Sequence, residues 1–172
     1  MARQNVMLRD DQSGISVPTG FKSETTGSPA GYKTVLTANY TLPAIAGGAS
    51  LSVGRKCLTL PAGERVVTGS SMAMAIKQTL GNITADTPDV GLGTVIAAGA
   101  NALCSDTSGA ENLLTGQTAA DCNGTATVET VTTALAIATA DSHDIYFNVC
   151  DGWAASGDTA AAISGTITIW WR

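Results

Sequence analysis

Residues 163–171 read Ile-Ser-Gly-Thr-Ile-Thr-Ile-Trp-Trp, with apolar and polar positions alternating. Ile163, Ile167, Ile169 and Trp171 fall on one face, and Ser164, Thr166, Thr168 and Trp170 on the other. Successive side chains of a pleated strand point to opposite sides, and β-branched residues fit that surface, so the segment predicts a strand with one buried side. Trp171 then completes a core. Trp170 lies among hydroxyls and needs a second surface to cover it.

The rest of the chain agrees with strands. Thr (24), Ala (27) and Gly (19) dominate, and only 13 % of residues are charged, which leaves few of the Lys and Glu residues that favour exposed helices. A hydrophobic share of 44 % argues against disorder. The apolar runs are short and broken by Thr and Gly, so none predicts a membrane span. Strands are predicted over 32–38, 56–60, 64–67, 71–77, 90–97, 127–139 and 143–150, with short edge pieces at 103–104 and 113–115 and the terminal strand last. Within 71–77, Met72, Met74 and Ile76 form an inward stripe. Residues 42–48 and 81–88 read as loops, and Gly91 and Gly93 mark a bend, a bulge or the close approach of another backbone. Roughly eight to ten strands with turns between them predict a β-sandwich or jelly roll, ahead of a closed barrel.

Residues 1–32 have no lasting period and mix charges with Gly and Pro, which predicts an extended N-terminal arm ahead of a body at 33–172. Charge separates along the chain. Eight of the nine basic residues lie in 1–77, and ten of the fourteen acids lie in 78–172. A basic, extended part that reaches a different neighbour from the acidic body would explain the split, as would acids decorating solvated loops. The predicted contact residues are Arg3, Val6, Leu8, Arg9 and Phe21 of the arm, with Trp153 and Trp170 of the body.

No arrangement for catalysis stands out. In Asp141-Ser142-His143-Asp144 the residue types of a hydrolytic triad are present, but neighbours in an extended chain face opposite ways, so Ser142 cannot serve His143. Gly91-x-Gly93 lacks the third glycine and the helix of a dinucleotide site. Asp86, Asp89, Asp141 and Asp144 do not follow the calcium-loop pattern. The body lacks the basic residues needed to bind nucleic acid directly. We therefore expect no enzyme activity, cofactor, metal, nucleic acid or membrane partner. The opening Met-Ala-Arg-Gln-Asn has no apolar signal core, which predicts synthesis in a cytoplasm. Cys57, Cys104, Cys122 and Cys150 are then expected as free thiols, with a Cys104–Cys122 disulfide as the alternative.

Three runs carry a resemblance: Pro61-Ala62-Gly63-Glu64-Arg65-Val66-Val67-Thr68-Gly69, Asp89-Val90-Gly91-Leu92-Gly93-Thr94-Val95-Ile96-Ala97, and Ile167-Thr168-Ile169-Trp170-Trp171. Over residues 33–172 the chain resembles the capsid cement, or decoration, proteins of tailed bacteriophages. The resemblance implies a jelly-roll body and a homo-oligomer, often a trimer. Such a protein clamps neighbouring major capsid protein subunits from outside the virion, after assembly in the bacterial host cytoplasm. No binding residue transfers position by position. The alternative is a head fibre or a tail-associated receptor- or glycan-binding virion protein.

Overall fold

The computed structural model describes residues 6–8, 14–45, 48–49, 52–86, 88–99, 104–119, 122–132, 134–141, 143–150 and 153–172. Positions 6–8, 43–45, 48–49, 80–86, 98–99, 106, 115–119, 129 and 153–159 are described through their backbone alone. The described chain is all-β apart from one 3₁₀ turn at Cys104–Asp106. Its strands are β1 (Val6–Leu8), β2 (Phe21–Ser28), β3 (Gly31–Ile45), β4 (Gly48–Ala49), β5 (Ser52–Thr59), β6 (Arg65–Asp86), β7 (Asp89–Gly93), β8 (Ala98–Gly99), β9 (Leu114–Ala119), β10 (Asn123–Val131), β11 (Leu135–Ile137), β12 (Asp144–Val149) and β13 (Trp153–Trp171).

These strands form two antiparallel sheets, consistent with a β-sandwich. The larger runs β1-β2-β3-β13-β6-β10, with β4 against β13 and β11 against β6, and the smaller runs β8-β5-β12-β7-β9. β13 sits at the centre of the larger sheet, paired along its length with β6 on one side and β3 on the other. Its alternation explains the position. Ile163, Ile167 and Ile169 are fully buried and Trp171 nearly so. They pack in one core with Met72, Met74 and Ile76 of β6, Leu36 and Leu42 of β3, and Val90, Leu92, Ile145, Phe147 and Val149 of the smaller sheet. Burial of a large aliphatic or aromatic side chain is worth about 1.5–3 kcal/mol, so this apolar layer supplies most of what joins the two sheets.

Several expectations need correction. The described residues hold thirteen strands rather than eight to ten, because β1, β4, β8 and β11 are two- or three-residue pieces. Part of the expected arm is sheet. Phe21–Ser28 pairs with β3 over its whole length, Val6–Leu8 adds to β2 in turn, and Ser16 bridges Thr59. The turn into β3 is made by Ser28-Pro29-Ala30-Gly31. The Ser28 hydroxyl accepts from the Ala30 N–H and donates to the Gly31 carbonyl, while Gly31 takes a φ of 135° that a side chain would strain. The segments expected as loops at 42–48 and 81–88 are largely strand. β3 continues through Pro43 because the side that lost a donor lies beyond the end of β2 pairing at Phe21↔Ala38, where no ladder is needed. The strand expected at 127–139 divides into β10 and β11, both carried by β6. The one expected at 90–97 stops at Gly93.

The cysteine expectation is also overturned. Cys104 and Cys150 form a disulfide, with Cα atoms 5.3 Å apart, and Cys57 and Cys122 are free and buried. Cys122 is therefore not the partner of Cys104.

Candidate interaction surfaces

The two sheets treat their outer faces differently. On the smaller sheet, Asn148 of β12 stands level with Gly54 of β5 and Gly91 of β7. The two glycines leave a slot beside it, and Ile96, Ala97, Cys104, Ala110 and Glu111 fill that slot. A Cβ at Gly54 would overlap Ile96, one at Gly93 would overlap the Gly109 carbonyl, and one at Gly91 would meet Glu111 at 2.9 Å. Asn148 is fully buried and fully used. Its Oδ1 accepts from the Ala97 N–H at 2.9 Å, and its Nδ2 donates to the carbonyls of Ala110 at 2.7 Å and Val95 at 3.1 Å. Ala97, Cys104, Ala110 and Cys150 form a second small core there, and the disulfide fastens it. This face is thus covered by the chain itself.

On the larger sheet, the inward stripe of Met72, Met74 and Ile76 turns Ser71, Ala73 and Ala75 outward. The pairing places them level with Thr168, Thr166 and Ser164 of β13, and these level with Val35, Thr37 and Asn39 of β3. The nine side chains are small or β-branched and none is charged. Val128 of β10, level with Ala73, is 69 % exposed. Charge appears at the margins, on exposed Lys22, Glu24, Lys33 and Lys77. Thr37, Asn39, Ser164 and Thr166 are exposed, Val35, Ser71, Ala73 and Thr168 are half-buried, and Ala75 is buried.

At the end of that face, Trp170 lies between Lys33 and Gly69 in the ladder. It is half-buried, with the Lys33 ammonium 5.9 Å from its ring centre. Trp171, pointing the other way, stacks on Tyr32 with ring centres 4.5 Å apart, and its Nε1 donates to Thr34 Oγ1 at 2.9 Å.

The remaining predicted contact residues scatter. Arg3 and Arg9 lie outside the described residues. Val6 and Leu8 pair through their backbone with Gly27 and Thr25 of β2. The Trp153 backbone pairs with Asp86 at the start of β13. Phe21 is not an outward contact. It is 6 % exposed and sits in the core with its ring centre 5.2 Å from that of Tyr40. Tyr40 is capped by the Arg55 guanidinium 4.3 Å from its ring, which in turn donates to the Thr19 carbonyl.

His143 Nε2 lies 2.6 Å from the Gly63 carbonyl, which ties its ring to a turn rather than to a nucleophile. Asp144 accepts from Thr59 Oγ1 at 2.5 Å and pairs with Lys56 at 3.5 Å. Ser142 lies outside the described residues. Burial pushes the Cys57 thiol up to about 12, so it is unsuited to nucleophilic work. Glu111 is raised, first by loss of hydration and then by the nearby charge of Asp89. Among the described residues no group of three or more His, Cys, Asp or Glu side chains is placed to hold a metal ion, and no helix is long and apolar enough to cross a membrane. No protein-family model, curated protein or solved structure matches this chain.

Sequence reasoning missed Asn148, which it placed on an ordinary strand face. The signal lay in Gly54 and Gly91, but only the strand register sets them on either side of one side chain.

Proposed function

We propose that this chain is a capsid cement protein. A jelly-roll body would work as a homo-oligomer, with a trimer as the preferred state, and bind the major capsid protein on the outside of a phage shell. Two things support the jelly roll. The sheet of β3-β13-β6-β10 and the sheet of β5-β12-β7-β9 each take four strands, and the chain interleaves them in the order of two nested Greek keys. The added β2 and β1 extend the first sheet on the β3 side.

The observation that carries the functional reading is the uncharged, partly exposed outer face of the larger sheet. Small residues make it flat, exposed Val128 makes it adhesive, and the chain spends its own loop covering the opposite face instead. Flat surfaces free of charge at the centre and rimmed by it suit protein–protein contact, which depletes charge at its core. A subunit that grips two neighbours at once gains from effective concentration, and binding only the assembled shell stabilises it by mass action.

The test is co-sedimentation of the full chain with shells of the phage that carries it, beside Thr166→Arg and Ala73→Arg variants. Circular dichroism would check that each variant is folded. The expected outcome is that the unaltered chain pellets with shells while the folded variants stay in solution. Failure of the unaltered chain to bind would end the cement reading. Equal binding by the arginine variants would move the contact to another face.

A further inference from the structure

We infer that the groove beside Trp170 binds the pyranose ring of an acidic saccharide. The groove has a volume of about 420 Å³ and is lined by Thr26, Tyr32, Lys33, Thr68, Trp170 and the turn before β3. That size lies within the range of small-ligand sites.

Its shape follows from the strand pairing. Gly69, level with Trp170, makes room for the Val131 carbonyl, which a Cβ would meet at 3.1 Å. The ladder between β13 and β6 then slips by one residue between Trp170 and Trp171, whose partners are Gly69 and Val67. Thr68 is the extra residue, and the bulge leaves its side chain exposed at the groove. The opposite wall is held firm, because Tyr32 stacks on Trp171 and the Trp171 indole is tied to Thr34. A wall fixed before the ligand arrives lowers the ordering cost of binding.

The chemistry on offer matches a sugar acid. The indole of Trp170 presents an apolar surface to the C–H face of a pyranose. Among the described residues the hydroxyls of Thr26 and Thr68 have no protein partner, so both can exchange hydrogen bonds with ring hydroxyls. Lys33 likewise has no carboxylate partner among the described residues and rests over the Trp170 ring. A carboxylate on the ligand would draw this ammonium off the ring while the sugar takes its place. With Lys33 as the single cation in the lining, the site suits one negative charge better than a phosphate ester.

This site does not depend on the capsid reading, since it is read by sugar binding and not by co-sedimentation. The experiment titrates the full, isotopically labelled chain with sodium glucuronate and, separately, glucose, following the tryptophan indole N–H signals. Saturable binding on the order of millimolar is expected for glucuronate, as suits a single small ring. Glucose should bind about fivefold more weakly, and Lys33→Gln should bring glucuronate down to the glucose level, the most one exposed ion pair supplies. Thr68→Val should weaken both sugars, Trp170→Ala should abolish the response, and Trp153→Ala should leave it unchanged. The inference is overturned if glucuronate gives no saturable shift, if the shift survives Trp170→Ala, or if Lys33→Gln leaves the preference for the acid intact.

Discussion

Trp171 and Thr34 are joined side chain to side chain across 137 positions of sequence, the indole N–H donating to the threonine hydroxyl at 2.9 Å inside the core. Thr34 Oγ1 lies in turn 3.0 Å from Thr25 Oγ1, and both threonines are fully buried. This polar relay ties β13 to β3 and β2 where an apolar core would otherwise leave an indole donor without an acceptor.

Thr34→Val removes the acceptor and keeps the shape. A buried donor left without a partner costs about 1–3 kcal/mol, so urea unfolding should show a loss of that size. Trp171→Ala empties a large site and should cost about 3–5 kcal/mol. Unfolding curves for Thr34→Val that overlay those of the native chain would mean the relay contributes nothing.

The loop over the smaller sheet hangs on Asn148. Asn148→Ala strips three hydrogen bonds to residues 95–110 at once, while the Cys104–Cys150 link keeps the loop tethered. Hydrogen exchange at Ala97 should then accelerate by at least about tenfold, which corresponds to 1.4 kcal/mol of lost local stability. Exchange in β13 should change little. Equal acceleration in both places would show that the loop and the large sheet open as one unit.

Thiol counting tests the cysteine arrangement. In the native chain Cys57 donates to the Ile145 carbonyl at 3.1 Å with its acidity suppressed by burial, and Cys122 is 6 % exposed. An aromatic disulfide reagent near neutral pH should therefore label no thiol in the folded protein. Unfolding without reductant should expose the two free cysteines, and reduction all four. Four thiols on unfolding alone would contradict the Cys104–Cys150 bond.

Glu111 supplies a pH dependence. Its raised pKa means that the folded chain keeps the proton to higher pH than the unfolded chain does. The favourable contribution is therefore complete below the ordinary value of 4.5 and is lost as pH rises through the folded value. Glu111→Gln removes that loss, so its Tm should exceed that of the native protein near neutral pH, and the two should converge by about pH 3. A gap that stays constant with pH would point to packing instead of ionisation.

Where one periodic face meets one core, the sequence was enough. The Ile163–Trp171 alternation and the Met72, Met74 and Ile76 stripe lie as their spacing indicates. Phe21 was misread because β2 buries Thr25 beside it instead of a second apolar residue, so no apolar period marks the strand. The disulfide was hidden for a different reason. Cys104 and Cys150 are 46 residues apart, and only the docking of the loop onto β12 brings them together. Two of the meanings open for Gly91 and Gly93 are present: the backbone of Gly109 and Ala110 closes on Gly93, and the ladder between β7 and β9 slips at Gly91. The uncharged face of the larger sheet was equally invisible, since nine residues from three strands become one surface only through register. The groove at Trp170 needed more still, because a slip in the ladder put Thr68 there.

The placing of β13 between β3 and β6 has a kinetic consequence. A ribosome makes β13 after every strand it joins, so β3 and β6 must wait side by side with unpaired edges and an open gap between them. Pairing across that gap spans more than 130 residues at Trp171↔Tyr32, the kind of distant contact that slows folding. During the wait, two long strands of neighbouring nascent chains present the same open edges to each other, and crowding on a polysome would favour their mispairing. Yield of soluble protein should therefore rise when translation is slowed or the growth temperature lowered, with no change in the stability of the finished fold.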